Sequence, residues 1–258
     1  MFQVQNIDEA QANPPSPVQY IVGDGNSGIL PYESRCVLFA PIKEGKSTLL
    51  QYIGQSVAGG LQLFGRAEYP TEKHTVMYVQ AEMSQSTLHE RIIQSALSGV
   101  TEVKLRFQHG TAFGLYLDTK EAQNLLESEI QRTKPSLLLL DPLYKLSAGD
   151  IITSEGFDPI SKYLDYLINS YHLSVIFSIQ ARKSIVVKSG KIDMGSQEML
   201  GTVNIGAWVD SVIAVKNAGE TKRHLFFTLR HGRESHFSLV VDFDPTLKTY
   251  SLLERRRV

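Results

Sequence analysis

Gly45, Lys46 and Ser47 stand together in the stretch FAPIKEGKST, Phe39 to Thr48, and these residue types in this order suit the binding of a polyphosphate. A lysine ammonium can meet β and γ phosphates, a hydroxyl can hold Mg²⁺, and backbone N–H groups of a glycine-bearing turn can point at anionic oxygens. The spacing follows the phosphate-loop pattern G-x-x-x-x-G-K-[ST], except that Ala40 occupies the first glycine position. An alanine is tolerated there if its φ is negative, because glycine is required only where φ is positive or a phosphate approaches the backbone closely. Ala40, Pro41, Ile42, Lys43, Glu44, Gly45, Lys46, Ser47 and Thr48 are therefore candidate nucleotide contacts, with ATP and Mg²⁺ as the expected ligands. The alternative is a surface lysine in an ordinary turn.

Three more polar residues close apolar runs. Asp141 ends SLLLLD, and a carboxylate at the carboxyl edge of a parallel strand, beside the phosphate-loop strand, can hold the Mg²⁺ water shell together with Ser47. Its other reading is a turn residue before Pro142. Glu82 ends TVMYVQAE, where a carboxylate can orient or deprotonate the water that attacks a γ-phosphate, or can simply cap the helix that follows. Gln180 ends LSVIFSIQ and could sense the γ-phosphate by hydrogen bonding. Lys46, Glu82 and Gln180 are the catalytic candidates.

Positioning these residues requires strands that all end at one edge of a sheet. CVLFAP (36–41) is a short apolar run, and STLLQYIGQSVAG after it has apolar residues at helical spacing. The unit repeats as a strand over 75–82 and a helix over 84–97. GLYLD (114–118) reads as a further strand, followed by a helix opened by an Asp118 to Glu121 capping box and running to about Arg132. The unbroken leucines of 136–141 fit a strand buried on both faces of a parallel sheet, and a helix near 155–171 and a strand over 173–180 continue the alternation. Beyond Trp208 come SVIAVKN, HLFFTLR, HFSLVVDFD and KTYSLLE, joined by turns too short for anything but antiparallel pairing. The expected fold is α/β: a mostly parallel central sheet flanked by helices and extended by C-terminal antiparallel strands. The polar, proline-bearing start reads as a flexible, extended arm over 1–18, leaving one domain over 19–258.

Composition narrows the class. The chain has 258 residues, 42% of them hydrophobic, enough for a real core. Its 26 Lys plus Arg balance 27 Asp plus Glu, so any nucleic-acid contact must come from a local basic patch and not from a global field. A single cysteine, Cys36, precludes an internal disulfide and suits a reducing cytoplasm; it is expected in the core. No secretion signal is read at the start, and no apolar run nears the roughly 18 residues a membrane helix needs.

With its residues in this order, the sequence resembles the RecA-like P-loop ATPases, and within them the RepA-type hexameric replicative helicases of plasmids and phages. APIKEGKS is similar to their loop, including Pro41 and Lys43, and the resemblance spans roughly residues 18 to 245. It implies Lys46 and Ser47 as the lysine and Mg²⁺ hydroxyl, Glu82 in YVQAEMS as the catalytic glutamate, Asp141 as the second acidic site, and Gln180 in FSIQARKS as the residue of the next motif. GSQEMLGTVNIGAWVDSVIAV, with Trp208 and Asp210, looks like the segment after the family's flexible loop. TLRHGRES resembles the family's K-x-R-H-G pattern, which implies a trans-acting arginine finger at Arg230, with Arg233 in reserve; Thr228 replaces the lysine of that pattern.

The resemblance also implies a homo-oligomer, a hexamer, moving on single-stranded DNA. The DNA would meet two loops, KLSAGDIITSEG (145–156) and the segment 181–201, the second carrying Arg182, Lys183, Lys188 and Lys191. Those lysines could equally belong to a solvated loop. A nucleotide-switched binding or assembly protein is the competing function, favoured by Ala40 and Thr228. A small-molecule kinase would need an arginine-rich lid, which the arginine-poor middle of the chain does not offer.

Overall fold

A computed structural model describes residues 6–12, 14, 16–26, 28–112, 114–181, 187–188, 191–192, 203–231 and 234–257. In chain order the elements are α1 (Ile7–Ala12), β1 (Tyr20–Val22), β2 (Leu30–Pro31), β3 (Arg35–Ala40), α2 (Lys46–Gly59), β4 (Val76–Gln80), α3 (Gln85–Ile93), α4 (Thr101–Arg106), β5 (Phe107–Thr111) and α5 (Lys120–Thr133). They continue as β6 (Leu137–Asp141), α6 (Ser154–Tyr171), β7 (Ser174–Gln180), β8 (Val187–Lys188), β9 (Lys191–Ile192), α7 (Val203–Trp208), β10 (Ser211–Asn217), β11 (Lys222–Leu229), β12 (His236–Asp244) and β13 (Thr249–Arg257).

Nine strands form one sheet in the order β13-β12-β11-β10-β3-β7-β6-β4-β5. From β10 to β5 every pairing is parallel, and β11, β12 and β13 complete the sheet antiparallel. The expected α/β architecture is thus the observed one. Both faces of the parallel part are covered, which explains why its strands lack polar alternation. On β6, Leu137 and Leu139 enter the core layer shared with α2, α3 and α4, while Leu138 and Leu140 enter the layer shared with α5 and α6. Cys36 lies fully buried in the first layer, where burial pushes its thiol well up.

Several expectations need correction. GLYLD is not a strand: Gly114 takes φ 71 in a turn, and Leu117 is a single buried anchor whose N–H donates to Leu146 O at 2.8 Å. The strand next to β4 is instead β5, FQHGT, whose only buried residue is Phe107. The helix over 84–97 stops at Ile93 and is followed by a 3-10 turn at Ala96–Gly99 and by α4. The α5 cap is Thr119, not Asp118; Asp118 instead accepts the N–H groups of Ala148 and Gly149. The arm is not extended throughout, because Asn6 and Glu9 exchange side-chain and backbone hydrogen bonds in a reciprocal cap that opens α1.

Candidate functional site

The phosphate loop leaves β3 at Ala40, a fully buried strand residue outside the left-handed region, so its methyl group sits in the core without strain. Its carbonyl accepts the N–H of Ala181 at 2.9 Å, which locks the end of β7 beside the loop. The left-handed positions are Lys43, φ 64, and Gly45, φ 86. Left-handed residues in a tight turn rotate successive N–H groups onto one side, the geometry of an anion-binding nest. For Lys43 that conformation costs about 1–2 kcal/mol.

Gly45 is the N-cap of α2 and offers no side chain to the N–H groups of the first turn, which have no partner within the helix. They are free for an anion. The loop is held from below by the C-terminal strands: Arg223 Nε of β11 donates to Glu44 O at 3.2 Å, and the Tyr250 hydroxyl of β13 lies 3.5 Å from where a Cβ on Gly45 would sit.

Three strand ends complete the site. Ala40 is in register with Gln180, and Gln80 with Asp141, so β3, β7, β6 and β4 finish at one edge. Asp141 does not lie beside the phosphate-loop strand, as the sequence reading had it. The crossover places β7 between β3 and β6, which makes Gln180 the immediate neighbour of the loop. Glu82 lies two residues past the end of β4, its N–H and that of Met83 both donating to the Gln80 side-chain oxygen. A cleft of about 440 Å³ at this edge is lined by Ile42, Lys43, Gly45, Lys46, Ser47, Thr48, Glu82, Asp141 and Gln180, together with Arg91, Pro142 and Tyr144. Pro41 and Glu44 shape the loop without lining the cleft.

Electrostatics in the cleft are mixed. Burial pushes the Lys46 ammonium below the ordinary lysine value, and Asp141 and Glu82 oppose that push. Asp141 is buried, and each of its oxygens accepts a hydroxyl hydrogen bond, Oδ2 from Tyr78 at 2.7 Å and Oδ1 from Ser178. Burial, reinforced by Asp141, raises the Tyr78 phenol well above its usual value, so it remains a donor. Each carboxylate oxygen retains acceptor capacity beyond one hydroxyl. Among the described residues no cluster of three or more His, Cys, Asp or Glu could hold a metal alone. Mg²⁺ favours oxygen donors from one or two protein groups and takes the rest from phosphate and water. Ser47 and Asp141 are the residues here that suit it.

Four contributors were not foreseen. Tyr144, on the turn after β6, donates its hydroxyl to Glu82 Oε1, and burial followed by that contact pushes its phenol up to about 12. Arg91 of α3 donates to Thr48 Oγ1 and, at 3.6 Å, to Met83 Sδ. Tyr78 and Ser178 orient Asp141. None belongs to a spaced motif, although Arg91 had one signal: it stands three residues from Leu88, at the flank of the buried Leu88 and Ile92 stripe of α3.

Arg230 is not brought to this cleft. Its guanidinium donates to Asp210 Oδ1 at 3.1 Å and to Ala207 O at 2.8 Å. Asp210 in turn accepts from the backbone and side chain of Arg35, the first residue of β3. Arg230 therefore stands at the amino edge of the sheet, one strand length, roughly 17 Å, from the phosphate loop. Arg233, Arg182 and Lys183, and most of the segment 181–201, lie outside the described residues. The loop 145–156 is described, and Asp118 fastens it at Ala148 and Gly149.

A phosphate loop between a central parallel strand and a helix, with acidic residues at the ends of neighbouring strands, defines a P-loop ATPase. The AAA domain family model matches residues 1–184, and the chain belongs to that family. The matched span takes in β3 to β7 and leaves the C-terminal strands outside. No curated protein matches the chain. Among the described residues no helix is long and apolar enough to cross a membrane.

Proposed function

We propose that this P-loop ATPase is a RepA-like helicase or translocase that uses ATP hydrolysis to move on single-stranded DNA in the replication of a mobile element. The observation that carries the ATPase part of the reading is the convergence of Lys46, Ser47, Glu82, Asp141 and Gln180, from four separate segments, on one cleft; the helicase part rests on the resemblance of APIKEGKS and TLRHGRES. Lys46 and the first-turn amides bind the β and γ phosphates, and Ser47 and Asp141 hold Mg²⁺, which neutralises phosphate charge when bound. Glu82 has one oxygen on Tyr144 and keeps the other for water. It takes a proton as the water oxygen bonds to the γ-phosphorus and the bond to the bridging oxygen breaks, releasing ADP and phosphate. Gln180 senses the γ-phosphate from the neighbouring strand. Arg230 cannot reach its own cleft, so any phosphate it serves belongs to a second copy in a ring; loops 145–156 and 181–201 would track DNA.

The test is ATP turnover by purified protein with and without single-stranded DNA. DNA should raise the rate severalfold, and Lys46→Ala should abolish it; equal rates with and without DNA would overturn the motor reading. One observation favours a second reading, a nucleotide-switched assembly protein: Arg230 is engaged within its own chain. Light scattering with a non-hydrolysable ATP analogue separates the two, a stable hexamer supporting the motor and a nucleotide-dependent dimer or filament the switch.

A further inference from the structure

We propose that Gln80 is a positioning residue for ATP hydrolysis, its side-chain oxygen setting the backbone from which Glu82 reaches the cleft. The proposal rests on the reading of Glu82 as the base and not on the helicase reading. Gln80 is the last residue of β4, is fully buried, and does not itself line the cleft. Glutamine is mostly an exposed residue, and one that is buried normally has both ends of its amide hydrogen-bonded. Here only one end is. Oε1 accepts the N–H of Glu82 at 2.9 Å and that of Met83, while Nε2 is buried with no acceptor among the described residues. Turning the amide over would set its NH₂ group against two N–H donors, so the segment after the strand fixes its orientation. The unpaired donor is a cost that an apolar side chain of the same length would not incur. Stability alone therefore gives no reason for a glutamine here, whereas the work of its oxygen on the Glu82 segment does.

The two N–H groups that Gln80 holds lie where the chain has left the sheet. The N–H of Ala81 still donates to Asp141 O at 2.8 Å, and α3 begins only at Gln85, capped by Ser84. Glu82 and Met83 fall between strand and helix, and Gln80 Oε1 is the acceptor for both. Tyr144 holds the far end of the Glu82 side chain, and Gln80 holds its root. A base displaced by about 1 Å from its water loses a large factor in rate, so the root matters as much as the tip.

ATP turnover, KM for ATP, affinities for fluorescent mant-ADP and mant-ATP, and the melting temperature are measured for wild type, Gln80→Met, Glu82→Ala and the double variant. Gln80→Met keeps the length of the side chain and removes the acceptor and the unpaired donor together. Its kcat should fall about tenfold or more, with KM, both affinities and the melting temperature little changed. In the Glu82→Ala background the same substitution should cost about twofold at most, because the oxygen acts through Glu82. Wild-type kcat in Gln80→Met would overturn the proposal. So would a lowered melting temperature with turnover following the folded fraction, the signature of a merely structural role, or an undiminished loss on top of Glu82→Ala. Wild-type turnover in Glu82→Ala would sink the base and the role of Gln80 with it. Absence of DNA stimulation would sink the helicase reading and leave the ratio of Gln80→Met to wild type untouched.

Discussion

Glu82 is exposed, and an exposed carboxylate is a poor base unless something fixes its orientation. Tyr144 does so by donating to one oxygen of this cleft-lining side chain. With its phenol raised to about 12, Tyr144 stays protonated and donating across the working range; the contact would be lost only as pH rose toward that value. Tyr144→Phe should therefore lower ATP turnover roughly three- to tenfold, a charged hydrogen bond discounted for exposure, with KM for ATP little changed. The deficit should be constant between pH 6 and 9, because the Tyr144 phenol, raised to about 12, keeps its proton throughout that range. Steady-state ATPase assays across that range check it; a deficit that vanishes at one end, or a change in KM alone, contradicts the positioning role. Ala40 poses no comparable question: on a strand, at ordinary backbone angles, its methyl group replaces nothing the loop needs.

At the scale of elements, the site depends on how closely α2 approaches the sheet. Gly54 is in the middle of that helix, and a Cβ there would lie 2.5 Å from Leu139 Cδ1 and 2.8 Å from Phe107 Cε2. Alanine should favour a helix interior by about 1 kcal/mol over glycine. Here the contact reverses the sign: Gly54→Ala should destabilise the protein by about 1–3 kcal/mol, read as a lower urea midpoint with unchanged m-value. A stabilised variant would mean that the helix backs away freely from β6 and β5. The same packing explains what could be read from sequence. Strands buried on both faces write themselves as apolar runs ending in one polar residue, so Glu82, Asp141 and Gln180 were legible. β5 is an edge strand with one buried residue and no such signature, and GLYLD mimicked a strand because one anchor, Leu117, must reach the core from a turn. The insertion of β7 between β3 and β6 is a choice of crossover, which no local pattern encodes. Arg91 and Tyr144 come from a helix face and a turn, where spacing carries no motif.

Across the whole molecule the sheet has two unlike edges. The carboxyl edge gathers the nucleotide cleft, and the amino edge gathers charges that grip one another: Arg35 bonds Asp165 at 2.6 Å and Asp210 at 3.3 Å, Trp208 donates to Asp165, and Arg230 closes the group on Asp210. Asp210 is the hub, its side chain only 8% exposed and shared by two guanidinium groups. Asp210→Asn would leave both cations without that counter-charge, and since both are partly exposed the expected loss is about 1–3 kcal/mol, less than for a fully buried pair. Because the hub is a strand length from the cleft, affinity for mant-ADP should be unchanged in the same variant. Turnover is the informative quantity. If Arg230 serves a neighbouring copy, freeing it from Asp210 should alter ATP turnover per subunit in a way that depends on protein concentration, since the partner cleft is needed. If Arg230 is only a structural latch, turnover should follow the fraction of folded protein and nothing else. Urea denaturation, nucleotide titration and ATPase rates over a range of protein concentration separate these outcomes, and a loss of mant-ADP affinity in Asp210→Asn would show that the two edges are coupled through β3.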